Sequence, residues 1–520
     1  MERNSLANPW NVILTLEGSL AFAGSAAKRL GANRPSEAAF PFQVAAVATA
    51  GDGLADKERS GSEIWLPMWD RPSLANEVLT LFREGRANCG ERTARSGINM
   101  ARAASTLGVD RGIDTFCRYA IVKGRVGGDN YNTAASLGRY EVRERREADL
   151  LREIDPWLDR FRSVCSADPP PRFGRALRAI DSAIFDFCRY GGSSRFQKIL
   201  ITLGRAESEL ALTPGKVGKS EFPRGPLAGL SLQWINAADD GSTEFTIARA
   251  LAGMDDPQHK VGSLRANLEP VREWFDQEAA RRKAAWADKD RAVVWNAADL
   301  PTNLVAVLAR RMMDGARAGC ENLPLASPAS ATLSAIADFI AGETEDRRIE
   351  DLLWGLMLVN PGRHRSNRED DVAIPAAYAL LKLLFLPCPL TIERRDGGRV
   401  FARYAKRVES GVRIRPEPRI VHLLRAGRLG EACSIAMRRL RASGLAPMPR
   451  ARAGRTRDSD WKELDRMGAA GLDPIRLAAA LLIPLKECEI KSLVERITRV
   501  EHMDIIDAEP EHAGSSTAGD

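Results

Sequence analysis

The stretch Ala376-Ala-Tyr-Ala-Leu-Leu-Lys-Leu-Leu-Phe385 is apolar nearly all round. A helix of that pattern is buried on every side, so it belongs at the centre of a helical assembly. Its neighbours in sequence fit. Ile349, Leu352, Leu353 and Leu356 recur at helical spacing behind Thr344, read as the N-cap, and an acidic first turn. Asp473-Pro474 sets an N-cap before a proline at the first helical position, and opens the almost wholly apolar run Ile475 to Ile483. From Leu429 to Ala442, the residues Leu429, Ala432, Cys433, Ala436 and Leu440 form one helical face, with Arg438 and Arg441 on the other. Leu423 to Gly444 reads as a single helical-repeat hairpin. These patterns predict a C-terminal helical bundle over residues 301–505, with a polar, disordered tail at 506–520.

The front of the chain reads differently. Asn8-Pro-Trp10 starts a helix expected to reach about Leu30. Ala39-Phe-Pro-Phe-Gln-Val44 and Glu63-Ile-Trp-Leu-Pro-Met-Trp69 read as short strands, with a Gly/Asp/Ser loop over 51–62. Tyr119–Val126 and Tyr131–Val142 flank Gly127-Gly-Asp-Asn130, which signals a hairpin near 119–142. The prolines ending at Pro171 read as a linker or rigid turn, helix resumes through Phe187, and 192–225 is polar and basic. The expected fold is mainly α, multi-domain, with a smaller α+β N-terminal part containing short strands and a hairpin. Its divisions are 1–165, a mostly helical 172–300, 301–505, and the tail.

With 520 residues, 44% hydrophobic and 28% charged, the composition is that of a globular protein of several domains. No uncharged apolar run is long enough to span a membrane, and Met1-Glu-Arg-Asn4 lacks the pattern of a signal peptide. A cytoplasmic location is therefore expected. The eight cysteines lie at least 23 residues apart, which disfavours a structural zinc site, and a disulfide framework is not expected. Most are expected to be small core residues.

The net charge of +7 is modest, but its placement is not. Residues 413–457 hold twelve arginines and two acids, Glu417 and Glu431, so that segment carries +10 and the rest of the chain −3. Clustered arginine suits a polyanion. A basic helix beside the loop Ala446–Arg457 suits phosphate tracking without sequence readout. Candidate nucleic-acid-binding residues are Arg438, Arg439, Arg441, Arg450, Arg452, Arg455 and Arg457. To these we add Lys123, Arg125 and Arg139 on the hairpin, and Lys216, Lys219 and Arg224 in a basic loop.

That loop contains Gly215-Lys-Val-Gly-Lys-Ser220, which imitates the end of a phosphate-binding P-loop. The required first glycine is replaced by Thr213, and Pro214 and Pro223 oppose the flanking strand and helix. The five histidines form no metal-ligand spacing, and there is no His-Asp pair, no nucleophile elbow and no dinucleotide fingerprint. His422, among apolar residues, reads as half-buried. No catalytic residue, metal or cofactor is expected, and the chain does not read as an enzyme.

Several stretches resemble a known family. They are Asn8-Pro-Trp10 with Leu16-Glu-Gly18, Phe40-Pro-Phe42, Glu63–Trp69, Gly108-Val-Asp-Arg-Gly-Ile-Asp-Thr-Phe-Cys-Arg-Tyr119 and Leu137-Gly-Arg-Tyr140. Further on come Glu350-Asp-Leu-Leu-Trp-Gly-Leu356, Ala377–Phe385, Leu424-Arg-Ala-Gly-Arg-Leu-Gly-Glu-Ala-Cys433 and Arg476–Pro484. In that order they resemble the large-subunit family of type I-G (formerly I-U) CRISPR–Cas effector complexes, the Csx-seventeen family. The resemblance implies a non-catalytic subunit of a guide-RNA surveillance complex. Such a subunit would bind target DNA, help recognise the adjacent motif and open the duplex, and recruit a helicase-nuclease in antiviral defence. Its partners would be guide RNA, target DNA, other effector subunits and the helicase-nuclease, with no membrane. Family members carry a further portion ahead of the Asn-Pro-Trp region, so this chain is expected to be a form lacking it. The alternative from another class is a helical scaffold that holds partner proteins with little nucleic-acid contact.

Overall fold

The computed structural model describes residues 8–23, 42–45, 60–69, 71–84, 87–90, 92–106, 108–109, 112–126, 129–166, 170–212, 225–256, 260–278, 281–287, 292–320, 322–362, 374–395, 399–405, 414–445 and 471–497. The chain divides into two compact units, residues 1–240 and 241–520. Both are rich in helix, and the larger sheet lies in the first, so the protein is mainly α with a sheet-containing N-terminal part.

The first unit contains α1 (Pro9–Ala23), β1 (Gln43–Val44), β2 (Ser60–Met68), α2 (Ala75–Glu84), β3 (Asn88–Cys89), β4 (Arg92–Thr93), α3 (Gly97–Ser105), β5 (Thr115–Val126) and β6 (Asp129–Glu141). A 3₁₀ stretch, Arg146–Ile154, leads into α4 (Asp155–Ser166), α5 (Pro171–Tyr190), α6 (Ser193–Ala211) and α7 (Gln233–Ala238). The main sheet is antiparallel in the order β1-β2-β5-β6. The hairpin is β5–β6, with Val126 opposite Asp129.

Four of the quoted front stretches meet in one aromatic core. Phe42, Trp65, Phe116 and Tyr140 are buried, with ring centroids 5.5 Å apart for Phe42–Phe116, 5.7 Å for Trp65–Phe116 and 5.1 Å for Trp65–Tyr140. Phe185 of α5 closes the cluster against Tyr140 at 5.6 Å. Inside it lies Arg118, its guanidinium 4.9 Å from the Trp65 ring and 4.6 Å from that of Phe185. Glu63 accepts hydrogen bonds from Arg118 Nη2 at 3.2 Å and from Trp65 Nε1 at 2.9 Å. Burying two charges costs several kcal/mol each unless they are paired, and here the pair and the aromatic faces supply the compensation.

Two glycines of those stretches have backbone tasks. Opposite the Arg118/Tyr119 step the register of β6 slips by one, leaving Leu137 as the extra residue of a bulge. Gly138 takes φ +86 there, a conformation that costs a side-chain-bearing residue. At Gly108 a Cβ would lie 1.8 Å from the Asn88 carbonyl oxygen, which forbids any larger residue.

The second unit contains α8 (Thr243–Ala252), β7 (Val271–Asp276), β8 (Arg281–Trp286), α9 (Leu300–Arg317), α10 (Leu333–Ala341), α11 (Asp346–Leu356), α12 (Ala376–Lys382), β9 (Leu390–Arg395) and β10 (Arg399–Tyr404). It continues with α13 (Arg419–Arg425), α14 (Leu429–Ala442), α15 (Pro474–Leu482) and α16 (Ile490–Ile497). The unit is a helical assembly carrying two small hairpins, β7–β8 and β9–β10. As its pattern predicts, α12 is buried throughout, and it packs on α14, α15 and α16. Asp473 caps α15 by accepting from the Ile475 amide at 2.8 Å. Arg476 ties α15 to α10 and α11 through a bidentate pair with Asp346 at 2.6 and 2.8 Å and a bond to the Phe339 carbonyl at 2.6 Å.

The division between units falls inside the stretch 172–300. α5 packs on α3, and α6 on α5 and α7, whereas α8 packs on α10 and α11. Several local expectations need correction. Within 192–225, residues 193–211 form α6, whose Phe196, Ile199, Leu200, Leu203 and Leu210 are core. The N-cap of α11 is Glu345 rather than Thr344. His422 is exposed, because α13 buries Ile420, Val421 and Leu424 instead. Among the cysteines only Cys188 and Cys433 are buried; Cys488 is exposed and the other five are half-buried. Of the front helix only residues up to Ala23 are described, and 24–30, 39–41, 51–59 and the tail lie outside the described residues.

Candidate nucleic-acid interface

The basic segment is organised by α13 and α14, joined through Ala426-Gly427-Arg428. Ile420, Val421 and Leu424 of α13 and Ala432, Cys433, Ala436, Met437 and Leu440 of α14 are buried. The apolar positions recur at three- and four-residue spacing, so each helix is left with a polar outer face. Arg415, Arg419, Arg425, Arg428, Arg438, Arg439 and Arg441 are all exposed.

Their partners separate them into groups. Buried Glu417 accepts from Arg439 Nη2 at 2.5 Å and from Arg419 Nε at 3.1 Å. The Arg439 hydrogen bond, followed by that of Arg419, draws its carboxyl down to about 2. This carboxylate fastens the start of α13 to the last turn of α14, so Arg439 is largely committed to structure. Arg428 binds Glu431 through two contacts, 2.7 and 2.6 Å, at the start of α14. Arg415, Arg425 and Arg438 make no ion pair among the described residues. Among the described residues Arg438 donates only to the Ser434 carbonyl, at 3.3 Å. Arg438 and Arg441, three apart near the C-terminal end of α14, share the outer face. They also offset the negative end of the helix dipole, an effect of about 0.3–1 kcal/mol each. Both local acids are thus already satisfied, and the surface left over is cationic.

The remaining candidates divide as follows. Lys123 and Arg125 lie on β5 opposite Asn132 and Asn130, near the hairpin tip, while Arg139 lies opposite Cys117. Six residues of strand separate Cys117 from Lys123, which is about 20 Å, so the ladder does not gather these three cations. Arg139 instead neighbours a cluster that the sequence did not reveal. Its carbonyl accepts from Arg189 Nη2 at 3.3 Å, and the Arg189 and Arg195 guanidiniums lie 5.1 and 4.9 Å from the ring of exposed Tyr190. The run Arg189-Tyr-Gly-Gly192 between two helices was the available signal. Lys216, Lys219, Arg224, Arg450, Arg452, Arg455 and Arg457 lie outside the described residues.

A cavity of about 430 Å³ opens near the start of α13, lined by Met312, Leu386, Leu390, Ile414, Arg415 and Pro418 among others. Cys320 and Cys388 also line it, but desolvation raises both thiols, which disfavours the reactive thiolate. Burial likewise pushes Cys433 on the buried face of α14 up to about 12. Among the described residues no cluster of three or more His, Cys, Asp or Glu could hold a metal ion, and no helix is long and apolar enough to cross a membrane. No protein-family model and no curated protein matches this chain.

Proposed function

We propose that the chain is a non-catalytic nucleic-acid-binding subunit of an RNA-guided effector, of the kind its resemblance implies: the large subunit of a type I-G CRISPR surveillance complex. The observation that carries the nucleic-acid part is the α13–α14 segment, residues 415–442, with seven exposed arginines and two acids that are both already paired. Such a segment grips phosphates without reading bases, which suits a complex whose sequence choice comes from guide pairing. The CRISPR assignment rests on the resemblance. Four of the front stretches on which it rests meet in one buried core. In that role the protein works in the cytoplasm with guide RNA, target DNA, other effector subunits and a helicase-nuclease, and assists adjacent-motif recognition and duplex opening.

One observation favours a second reading. Glu417 and Glu431 show that these arginines pair readily with carboxylates, and an acidic partner protein would offer the same groups. The chain would then be a helical scaffold. The test is a tagged pull-down with neighbouring gene products and a guide RNA co-expressed, followed by crosslinking. A stoichiometric complex with RNA and DNA adducts on the α13–α14 arginines supports the effector role. Protein adducts alone support the scaffold, and recovery of the chain by itself overturns both.

A further inference from the structure

We infer that the β7–β8 ribbon is a binding element for single-stranded nucleic acid, in which a base stacks on Trp274 between phosphates held by Arg272 and Arg281. This element is separate from the arginines of α13–α14 and does not depend on them.

One face of the ribbon is fixed to the body of the unit. Val271 is buried, and Glu273 receives Arg265 Nη1 at 3.4 Å and Arg282 Nη1 at 3.3 Å. Arg265 is itself buried and bound to Glu269. The Arg282 amide donates to Asn360 Oδ1 at 3.0 Å, and the Ala287 amide donates to the Pro270 carbonyl at 2.9 Å to close the base. Strand side chains alternate, so anchoring 271, 273 and 282 sends 272, 274, 281 and 283 to the other face.

That outward face has an unusual composition. Trp274 is 48% exposed, and among the described residues no ring or cation lies against it. The register sets Lys283 opposite Trp274, Arg281 opposite Asp276 and Arg272 opposite Ala285. Lys283 is taken by Asp276 on the same face. Arg272 and Arg281 are exposed and make no ion pair among the described residues. Each lies about 7 Å along the ribbon from Trp274, one on either side. Glu278 follows in the turn, its amide donating to Asp276 Oδ1 at 3.0 Å.

An aromatic plane between two guanidiniums suits a strand whose bases are unstacked, because every base offers a π face and every linkage a phosphate. A duplex keeps its base faces inside, so it could use the arginines but not Trp274. An acidic peptide could do the same. Phe275, 58% exposed, points to the opposite face near the tip and provides an internal control.

The experiment measures binding of the full chain to a fluorescent 20-nucleotide oligo(dT), with a 20-base-pair duplex alongside. Trp274→Ala is expected to weaken oligo(dT) binding about tenfold and leave duplex binding within twofold. Trp274→Phe keeps most of the affinity, and Phe275→Ala is unchanged. Arg272→Gln with Arg281→Gln lowers the salt slope on oligo(dT) by about 1.4. The Trp274 dependence persists in an Arg438→Gln, Arg441→Gln background, which separates this site from the helical one. The inference is overturned if the wild-type chain does not bind oligo(dT), or if Trp274→Ala stays within twofold of it. It is equally overturned if duplex binding or the Phe275→Ala variant suffers the same loss, or if poly-glutamate binding falls in step with Trp274→Ala.

Discussion

Arg118 and Arg438 are the same side chain in opposite surroundings. Arg118 lies between Trp65 and Phe185 with Glu63 as its counter-ion, sealed in the sheet core of the first unit. Arg438 stands on the outer face of α14 with a weak backbone contact. The residues around Arg118 are occupied with one another, whereas the charge of Arg438 is available. An arginine in this protein serves the fold where a carboxylate and aromatic faces enclose it, and can meet a partner where it stands on the outer face of a helix.

The sharpest way to break that contrast is Arg118→Leu. It strands the Glu63 carboxylate in an apolar core, and urea unfolding is expected to show a loss of about 3–5 kcal/mol. Adding Glu63→Gln removes the stranded charge and should restore much of it. A loss below about 1 kcal/mol would mean that the cluster is not structural.

Lys382 supplies a buried cation without a carboxylate. Its Nζ donates to the Leu481 and Ile483 carbonyls, both at 2.7 Å, at the end of α15. Desolvation lowers it from 10.5 to about 7. Between those values the unfolded chain binds the extra proton, so stability rises with pH, by at most about 1.4 kcal/mol per unit. The penalty is fully present below about 7 and gone above 10.5. Lys382→Met should lack this slope between pH 7 and 9 in urea melts, whatever its absolute stability. Parallel slopes in the two proteins would refute the shift.

The smallest effects belong to the exposed face. Arg438→Gln with Arg441→Gln should leave the melting point within a degree or two and reduce the salt slope of DNA binding by about 1.4–1.8. Arg439→Gln should change the slope less and the stability more, because it releases Glu417. If Arg439→Gln alone matches the double variant, Arg439 is no more committed to structure than Arg438.

Much of the fold was legible. The all-apolar run of α12 and the Asp473-Pro474 start of α15 are local signals, and each produced its element; Gly127-Gly-Asp-Asn130 signalled the hairpin, but Asp129 and Asn130 are its paired residues, the first of β6. α6 was hidden because Lys198, Arg205, Glu207 and Glu209 interrupt its apolar residues, whose core stripe shows only at helical spacing. The site was legible as a charge cluster and no further. Which arginines are committed depends on Glu417, 22 residues before Arg439, and Glu63 meets Arg118 across 55 residues. The outward turn of Trp274 likewise follows from the anchoring of Glu273 by Arg265 and Arg282.

Cys433 gives the buried face of α14 a clock. Its thiol is raised by burial, so it becomes reactive only when α14 lifts from the core that covers it. The rate at which a thiol reagent labels it, set against exposed Cys488 in the same molecule, therefore counts how often α14 opens. A polyanion that binds only the closed form makes that opening rarer.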